Sequence, residues 1–223
     1  MDMHTLALYA CAAAVLASGV PLLASLAAEG RERTPPPLAL LRAWRRPVPP
    51  VAAALVAVMA VLGAVQTAVP AMVGALERKP DGAWWRAVTA LLVQSSGGVQ
   101  LLFNLVALAA VVPVAERWFG PWRTVLVLAV SGVAAQAVSM AGWSTRGGGD
   151  SVAICGLVGA LATTYAARGG VAALRRAALL VPAAALVLCL LANNHGVGLL
   201  VGCLLGVVPA AAGTRTPPAA RPA

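Results

Sequence analysis

Seven stretches of this chain are almost wholly apolar, at residues 3–28, 51–75, 98–115, 124–141, 152–167, 177–192 and 197–212. Polar and charged residues collect between them. Most of the stretches approach the roughly 20 residues that an α-helix needs to cross the hydrocarbon core of a bilayer. They are built from Ala, Leu and Val with frequent Gly, a mix that lets helices pack closely in lipid. The pattern predicts an all-α polytopic membrane protein with seven spans.

Two intervening segments set the organisation. Residues 29–50 carry TPPP, RAWRR and PVPP around a short apolar LALL, and proline at this density breaks helices and stiffens a connection. Residues 1–50 are therefore read as an extra N-terminal span with a Pro/Arg-rich linker, 51–213 as a compact six-span domain, and 214–223 as a disordered tail. Residues 77–97, ERKPDGAWWRAVTALLVQSSG, are too long for a tight turn and too apolar for a free aqueous loop. AVTALLV is too short to cross, which predicts a re-entrant or interfacial helix. Irregular backbone survives at membrane depth only where protein or trapped water satisfies it, so a sheltered, hydrated cavity is expected beside this segment. No internal repeat suggests an inverted-repeat transporter.

Composition agrees with the pattern. The 223 residues are 61% hydrophobic and 10% charged, against about 25% charged in a soluble domain. The net charge of +9 raises the possibility of nucleic acid, and the placement of the charge answers it. Arg31, Arg33, Arg42, Arg45, Arg46, Arg117, Arg123, Arg168, Arg175, Arg176, Arg215 and Arg221 fall on one side of a seven-span arrangement. Only Arg78, Lys79, Arg86 and Arg146 fall on the other. This asymmetry sets topology, with the N-terminus outside and the C-terminus cytoplasmic. It is not a nucleic-acid patch. All six tryptophans (Trp44, Trp84, Trp85, Trp118, Trp122 and Trp143) stand at or just beyond the ends of apolar stretches, where an interfacial belt puts them.

The first stretch is read as an uncleaved span rather than a signal peptide: MDMH lacks positive charge, the apolar run is long, and cleavage would misplace the arginine-rich linker. Cys11, Cys155, Cys189 and Cys203 all lie inside apolar stretches without a CxxC spacing. They read as small hydrophobes, indicating neither a disulfide nor a metal.

The candidate chemistry lies toward the C-terminal end. Ser151 follows a glycine-rich loop, GGGD, and opens the fifth stretch; His195 opens the seventh, with Gly198, Gly202 and Gly206 at i+3, i+7 and i+11. A serine and a histidine heading two membrane helices are the makings of a nucleophile and its base, and polar groups in the bilayer are functional candidates by default. Asn104 and Gln100 stand one turn apart on a single helical face. Their amides can line an oxyanion hole together with the backbone N–H of Ser151. Gly156 and Gly159 lie on the Ser151 helix, and two such small-residue stripes would let the helix backbones approach closely. Each of these residues also has a plainer reading. Ser151 and Asp150 can be helix N-caps, His195 an interfacial polar residue, and Asn104 an interhelical hydrogen-bonding group. His4 is read as terminal and unimportant, and Asn193 and Asn194 as helping to shape the site.

These motifs resemble those of the rhomboid family of intramembrane serine proteases, in the family's order and across the whole six-span unit. WWR at Trp84–Arg86 resembles the WR motif of the first loop. FNLVAL at Phe103–Leu108 resembles the segment that carries the oxyanion asparagine, here Asn104. AERWFG resembles the ExxxG turn, through Glu116 and Gly120. GDSV resembles the GxSG nucleophile segment, and HGVGLLVG the HxxGxxxG segment of the last helix. Three positions depart from the family pattern. Gln100 replaces a histidine while keeping an amide donor, Val152 replaces the second glycine of GxSG, and Cys155 replaces an aromatic ring often stacked on the catalytic histidine.

The resemblance implies a Ser–His dyad protease with Ser151 as nucleophile, His195 as base, and Asn104 and Gln100 as oxyanion donors. No metal or cofactor is implied, and no Asp is placed to orient His195. Substrates would be transmembrane proteins entering sideways from the bilayer. The alternative is an inactive rhomboid-like protein that holds transmembrane clients without cutting them. The Arg-, Ala- and Gly-rich composition suits a GC-rich bacterial genome, which would place the protein in the plasma membrane.

Overall fold

The structure, a computed structural model, describes residues 2–28, 35–80 and 82–211, with side chains to residue 207. Residues 29–34 of the linker and the tail 214–223 lie outside the described residues. The described elements are helical: α1 Met3–Ala27, α2 Pro50–Ala68, α3 Ala71–Leu76, α4 Arg86–Thr89, α5 Gly98–Phe119, α6 Pro121–Val138, α7 Ser151–Arg168, α8 Ala172–Ala178, α9 Leu180–Leu190 and α10 Asn194–Ala211. Among the described residues, six helical segments are long and apolar enough to cross a membrane: α1, α2, α5, α6 with its continuation to Trp143, α7, and α8 with α9. The seventh apolar stretch forms α10, an apolar helix over Asn194–Val207, the part with described side chains. The protein is an all-α, multi-pass membrane protein.

Several boundaries differ from the hydropathy pattern for local reasons. The second stretch breaks at Val69, which leaves the helical region at φ −129°, ψ 76°. Pro70 follows it, and proline disfavours the helical conformation in the residue before. The short helix α3 then restarts. At the end of α6 the helix widens into a π turn over Ser139–Trp143, closed by Ser144 N–H donating to the Ser139 carbonyl, and turns away at Gly142, φ +137°. Part of the proline-rich linker forms a 3₁₀ helix, Pro37–Trp44, that buries Ala39 and Ala43. It is pinned by the Trp44 indole N–H donating to the Ala109 carbonyl (2.9 Å) and by Arg117 Nε donating to the Ala43 carbonyl (2.7 Å).

α7 is the centre of the bundle: 61% of its spanning window is buried, against 22–39% for the other five spans. Its glycines explain how α10 packs on it. A Cβ added at Gly202 would stand 1.9 Å from the Gly156 carbonyl oxygen, and one at Gly198 would stand 2.2 Å from that of Val152. One at Gly159 would meet the Leu199 carbonyl at 2.2 Å. The two helices thus touch backbone to backbone, the close approach that small residues permit in membranes. α1 joins the same core through buried Leu22 and Leu23 and a buried hydroxyl pair, Ser25 Oγ and Tyr165 Oη, 3.1 Å apart.

The start of α2 is satisfied from a distance. Pro49 and Pro50 supply no capping side chain, while the next two backbone N–H groups need acceptors. Buried Glu116 on α5 supplies both, accepting from Val51 N–H at 3.2 Å and from Ala52 N–H at 2.8 Å. Gly120, at φ +83°, then turns the chain into α6, so the ExxxG segment couples two helix starts. Glu116→Ala is expected to lower unfolding stability in detergent by about 2 kcal/mol, the scale of a hydrogen bond to a charged acceptor. Glu116→Gln, keeping one acceptor oxygen, should lose less. Equal midpoints for both variants and wild type would show that this cap contributes nothing.

Candidate active site

The chain reaches Ser151 through residues 147–149, and glycine is required there on geometric grounds. Gly147 and Gly149 take φ +129° and +149°, conformations that L side chains rarely adopt. A Cβ on Gly148 would lie 2.8 Å from the Ala90 carbonyl oxygen. Each glycine is tied to its surroundings. Arg78 N–H donates to the Gly147 carbonyl at 2.9 Å, and Gly149 N–H donates to the Ala90 carbonyl at 2.8 Å. Ser95 Oγ donates to the Gly148 carbonyl at 3.0 Å and accepts from Gly148 N–H at 2.9 Å. Gln136, buried on α6, donates to the Gly149 carbonyl at 3.0 Å and accepts from the buried Arg78 guanidinium. The loop before the serine is therefore held on both sides, by the 77–97 segment and by α6.

That segment is itself anchored. AVTALLV forms the short helix α4 and a 3₁₀ turn, Ala90–Leu92, with Ala87, Ala90 and Val93 buried and Trp84, Val88 and Leu92 facing outward. Arg86 of WWR donates to the Glu77 carbonyl at 2.7 Å, and Thr89 Oγ1 to the Leu76 carbonyl at 2.8 Å. Gln94 N–H donates to Gln66 Oε1 while Gln66 Nε2 donates to the Gln94 carbonyl, both at 2.8 Å, tying the end of the segment to α2.

Ser151 and His195, 44 residues apart in sequence, meet at the heads of α7 and α10, with Ser151 Oγ 3.0 Å from His195 Nε2. Neither Asp150 nor Ser151 acts as a side-chain cap. Asp150 makes no cap bond, and the Ser151 hydroxyl is directed at the imidazole. On the far side of the ring, His195 Nδ1 lies 3.0 Å from Asn193 Oδ1, which also accepts the His195 backbone N–H at 3.0 Å.

The two amide residues are placed beside the same loop. Asn104 is buried, and its Nδ2 donates to Gln94 Oε1 at 2.7 Å and to Asp150 Oδ1 at 2.9 Å, which engages both amide hydrogens. Gln94 Nε2 donates to the same Asp150 oxygen at 2.8 Å. Asp150 Oδ2 is buried without a partner, and burial pushes this carboxyl above its ordinary range against the bonds from Gln94 and Asn104. Gln100 Oε1 accepts from Ser96 N–H at 2.7 Å, and its Nε2 donates to the Gly148 carbonyl at 2.9 Å, leaving one amide hydrogen outside these bonds. The backbone N–H of Ser151 stands in the first turn of α7, where helical amides lack intrahelical acceptors and the helix dipole favours negative charge.

The supporting residues Gln66, Gln94, Gln136 and Arg78 were not identified from the sequence pattern. The available signal was their polarity: each is a polar side chain within or beside an apolar stretch, which is costly unless it is bonded.

A half-buried serine–histidine pair stands at the heads of two tightly packed helices in a multi-pass α-helical membrane protein. The rhomboid domain family model matches residues 81–212, more than half of the chain, and the protein belongs to the rhomboid family. No match was found among curated proteins or among solved structures.

Proposed function

We propose that this protein is an intramembrane serine protease that cleaves peptide bonds in or near transmembrane segments of other membrane proteins. The observation that carries the reading is the 3.0 Å approach of Ser151 Oγ to His195 Nε2, within the range for a nucleophile and its general base. Ser151 Oγ attacks the scissile carbonyl carbon as His195 Nε2 takes the hydroxyl proton. The tetrahedral oxyanion is met by the Ser151 backbone N–H and by amide donors. His195 then returns the proton to the leaving amine, and water hydrolyses the acyl-enzyme. Fluorophosphonate labelling tests the reading directly, because only an activated serine reacts: the wild-type chain should be labelled at Ser151. Absence of labelling in a folded protein would sink it.

Of the amide residues, Gln100 has a hydrogen to give, whereas Asn104 must exchange its bond to Gln94 or Asp150 to serve the oxyanion. Gln100→Ala is expected to reduce turnover about 100- to 1000-fold, the effect of losing one oxyanion donor, without unfolding the protein. Unchanged turnover would remove Gln100 from the mechanism. The engaged state of Asn104 favours a second reading, in which the protein binds transmembrane clients without cutting them.

The arginine distribution supports an N-terminus outside and a C-terminus cytoplasmic, the Arg-, Ala- and Gly-rich composition supports a bacterial plasma membrane, and the Pro/Arg-rich linker divides an added first span from a six-span domain over residues 51–213. Single cysteines placed in 29–50 should stay unreactive toward an impermeant thiol reagent in intact cells. Ready labelling there would reverse the topology.

A further inference from the structure

The environment of His195 on the side away from Ser151 has a consequence for the direction of proton transfer. Asn193 occupies the N-cap position of α10, two residues before His195, and follows a turn in which Ala192 has φ +52°. Its side-chain oxygen accepts the His195 backbone N–H at 3.0 Å and lies 3.0 Å from His195 Nδ1. A backbone N–H can only donate, so the amide atom facing it is the oxygen; this fixes which way the Asn193 amide points. That oxygen also can only accept, so a hydrogen bond from the ring requires the proton on Nδ1. In the neutral imidazole Nε2 is then bare, and Nε2 is the atom 3.0 Å from Ser151 Oγ.

We propose that Asn193 is a positioning residue for the Ser151–His195 pair: one oxygen caps α10 and holds His195 in the Nδ1–H tautomer that can take the serine proton. The proposal rests on the protease reading for its functional meaning, but its structural content is independent of it. As Ser151 loses its proton to Nε2, the ring becomes doubly protonated, and the Asn193 oxygen remains as acceptor for the Nδ1–H. A neutral amide here does what a carboxylate does in a serine triad, holding tautomer and ring orientation, without adding a buried charge.

The sequence contains only two histidines, His4 and His195, so ring-nitrogen NMR of the full chain in detergent, on a His4→Gln background, reports His195 alone. Spectra are taken at about pH 9, well above the ordinary imidazole pKa, so that the neutral ring is observed. The Ser151→Ala background removes the serine hydroxyl, leaving Asn193 as the group that selects the tautomer. The expected result is a protonated Nδ1 in Ser151→Ala, shifting toward the Nε2–H form in Ser151→Ala/Asn193→Ala and restored in Ser151→Ala/Asn193→Asp. An unchanged tautomer in the Asn193→Ala pair would overturn the proposal.

With Ser151 intact, a fluorophosphonate reads the same effect as a rate. Ser151 Oγ forms the bond to phosphorus, fluoride leaves, and His195 takes the hydroxyl proton. Asn193→Ala should slow labelling about 10- to 100-fold, below the full contribution of a general base of about 100- to 10,000-fold. Asn193→Asp should recover the rate to within about tenfold of wild type. Asn193→Gly separates the two jobs, since glycine is itself well tolerated at an N-cap but carries no side-chain oxygen for the ring. Wild-type thermal stability with slowed labelling marks positioning, and wild-type stability with wild-type labelling reduces Asn193 to a cap. Nδ1 protonation that depends on Asn193 in a chain whose serine never labels would uphold the positioning and refute the protease reading.

Discussion

Ser151→Ala should abolish proteolysis while leaving the fold and substrate association intact. The hydroxyl it removes bonds to His195 and caps nothing, so the structural cost is that of one hydrogen bond, about 1 kcal/mol. The chemical cost should be on the order of 10⁶-fold in turnover, because removing one member of a serine–histidine unit leaves only binding and oxyanion stabilisation. His195→Ala should cost about as much and should not add to the serine variant, since the two act as one unit. Reconstituted protein with a transmembrane reporter substrate gives the rate, and co-purification of that substrate gives the association. If wild type and Ser151→Ala capture the same clients and neither cuts them, the protein is a binder rather than a protease.

Gly202→Ala should have the largest effect on the fold for the smallest change in mass. The added methyl would stand 1.9 Å from the Gly156 carbonyl oxygen and 2.6 Å from its carbon. Both are backbone atoms, so no rotamer change relieves the contact and α10 has to move away from α7. Ordinary overpacking costs about 1–3 kcal/mol, and a clash against backbone belongs at or above the top of that range. His195 rides on α10, so separation of the helices also opens the distance to Ser151. Thermal unfolding in detergent should fall steeply and fluorophosphonate labelling should be lost with it. Gly74→Ala is the control: nothing lies within 4 Å of its added Cβ, and its effect should stay within about 0.5 kcal/mol. A Gly202→Ala protein with wild-type stability and labelling would mean that the two helices do not depend on this contact.

Much of the site was legible along the chain. Ser151 and His195 stood out because a hydroxyl and an imidazole heading two apolar helices are costly to keep there without use, and the glycine stripes announced that those helices approach closely. The double duty of Glu116, which accepts from two backbone groups 64 and 65 residues away, was not legible. A family-like turn motif says where a glutamate stands, not which helix start it faces. The sequence places Asn193 two residues before His195 but does not give the direction of its amide, which follows from the positions of two nitrogens relative to one oxygen.

By itself the sequence determined the helical, multi-pass character, the apolar stretches, the glycine stripes on the fifth and seventh of them, and the residues able to do chemistry. These follow from local properties: hydropathy summed over about 20 residues, the missing Cβ of glycine, and the few side chains that carry a nucleophile or base. Only the tertiary structure decided that Ser151 and His195 come within 3.0 Å, that Gln100 and Asn104 are bonded to the Gly148 carbonyl and to Asp150, and that Asn193 faces the outer nitrogen of the imidazole. Such contacts depend on helix register, crossing and depth. Those are set by packing among many residues at once, and no single stretch of sequence carries them.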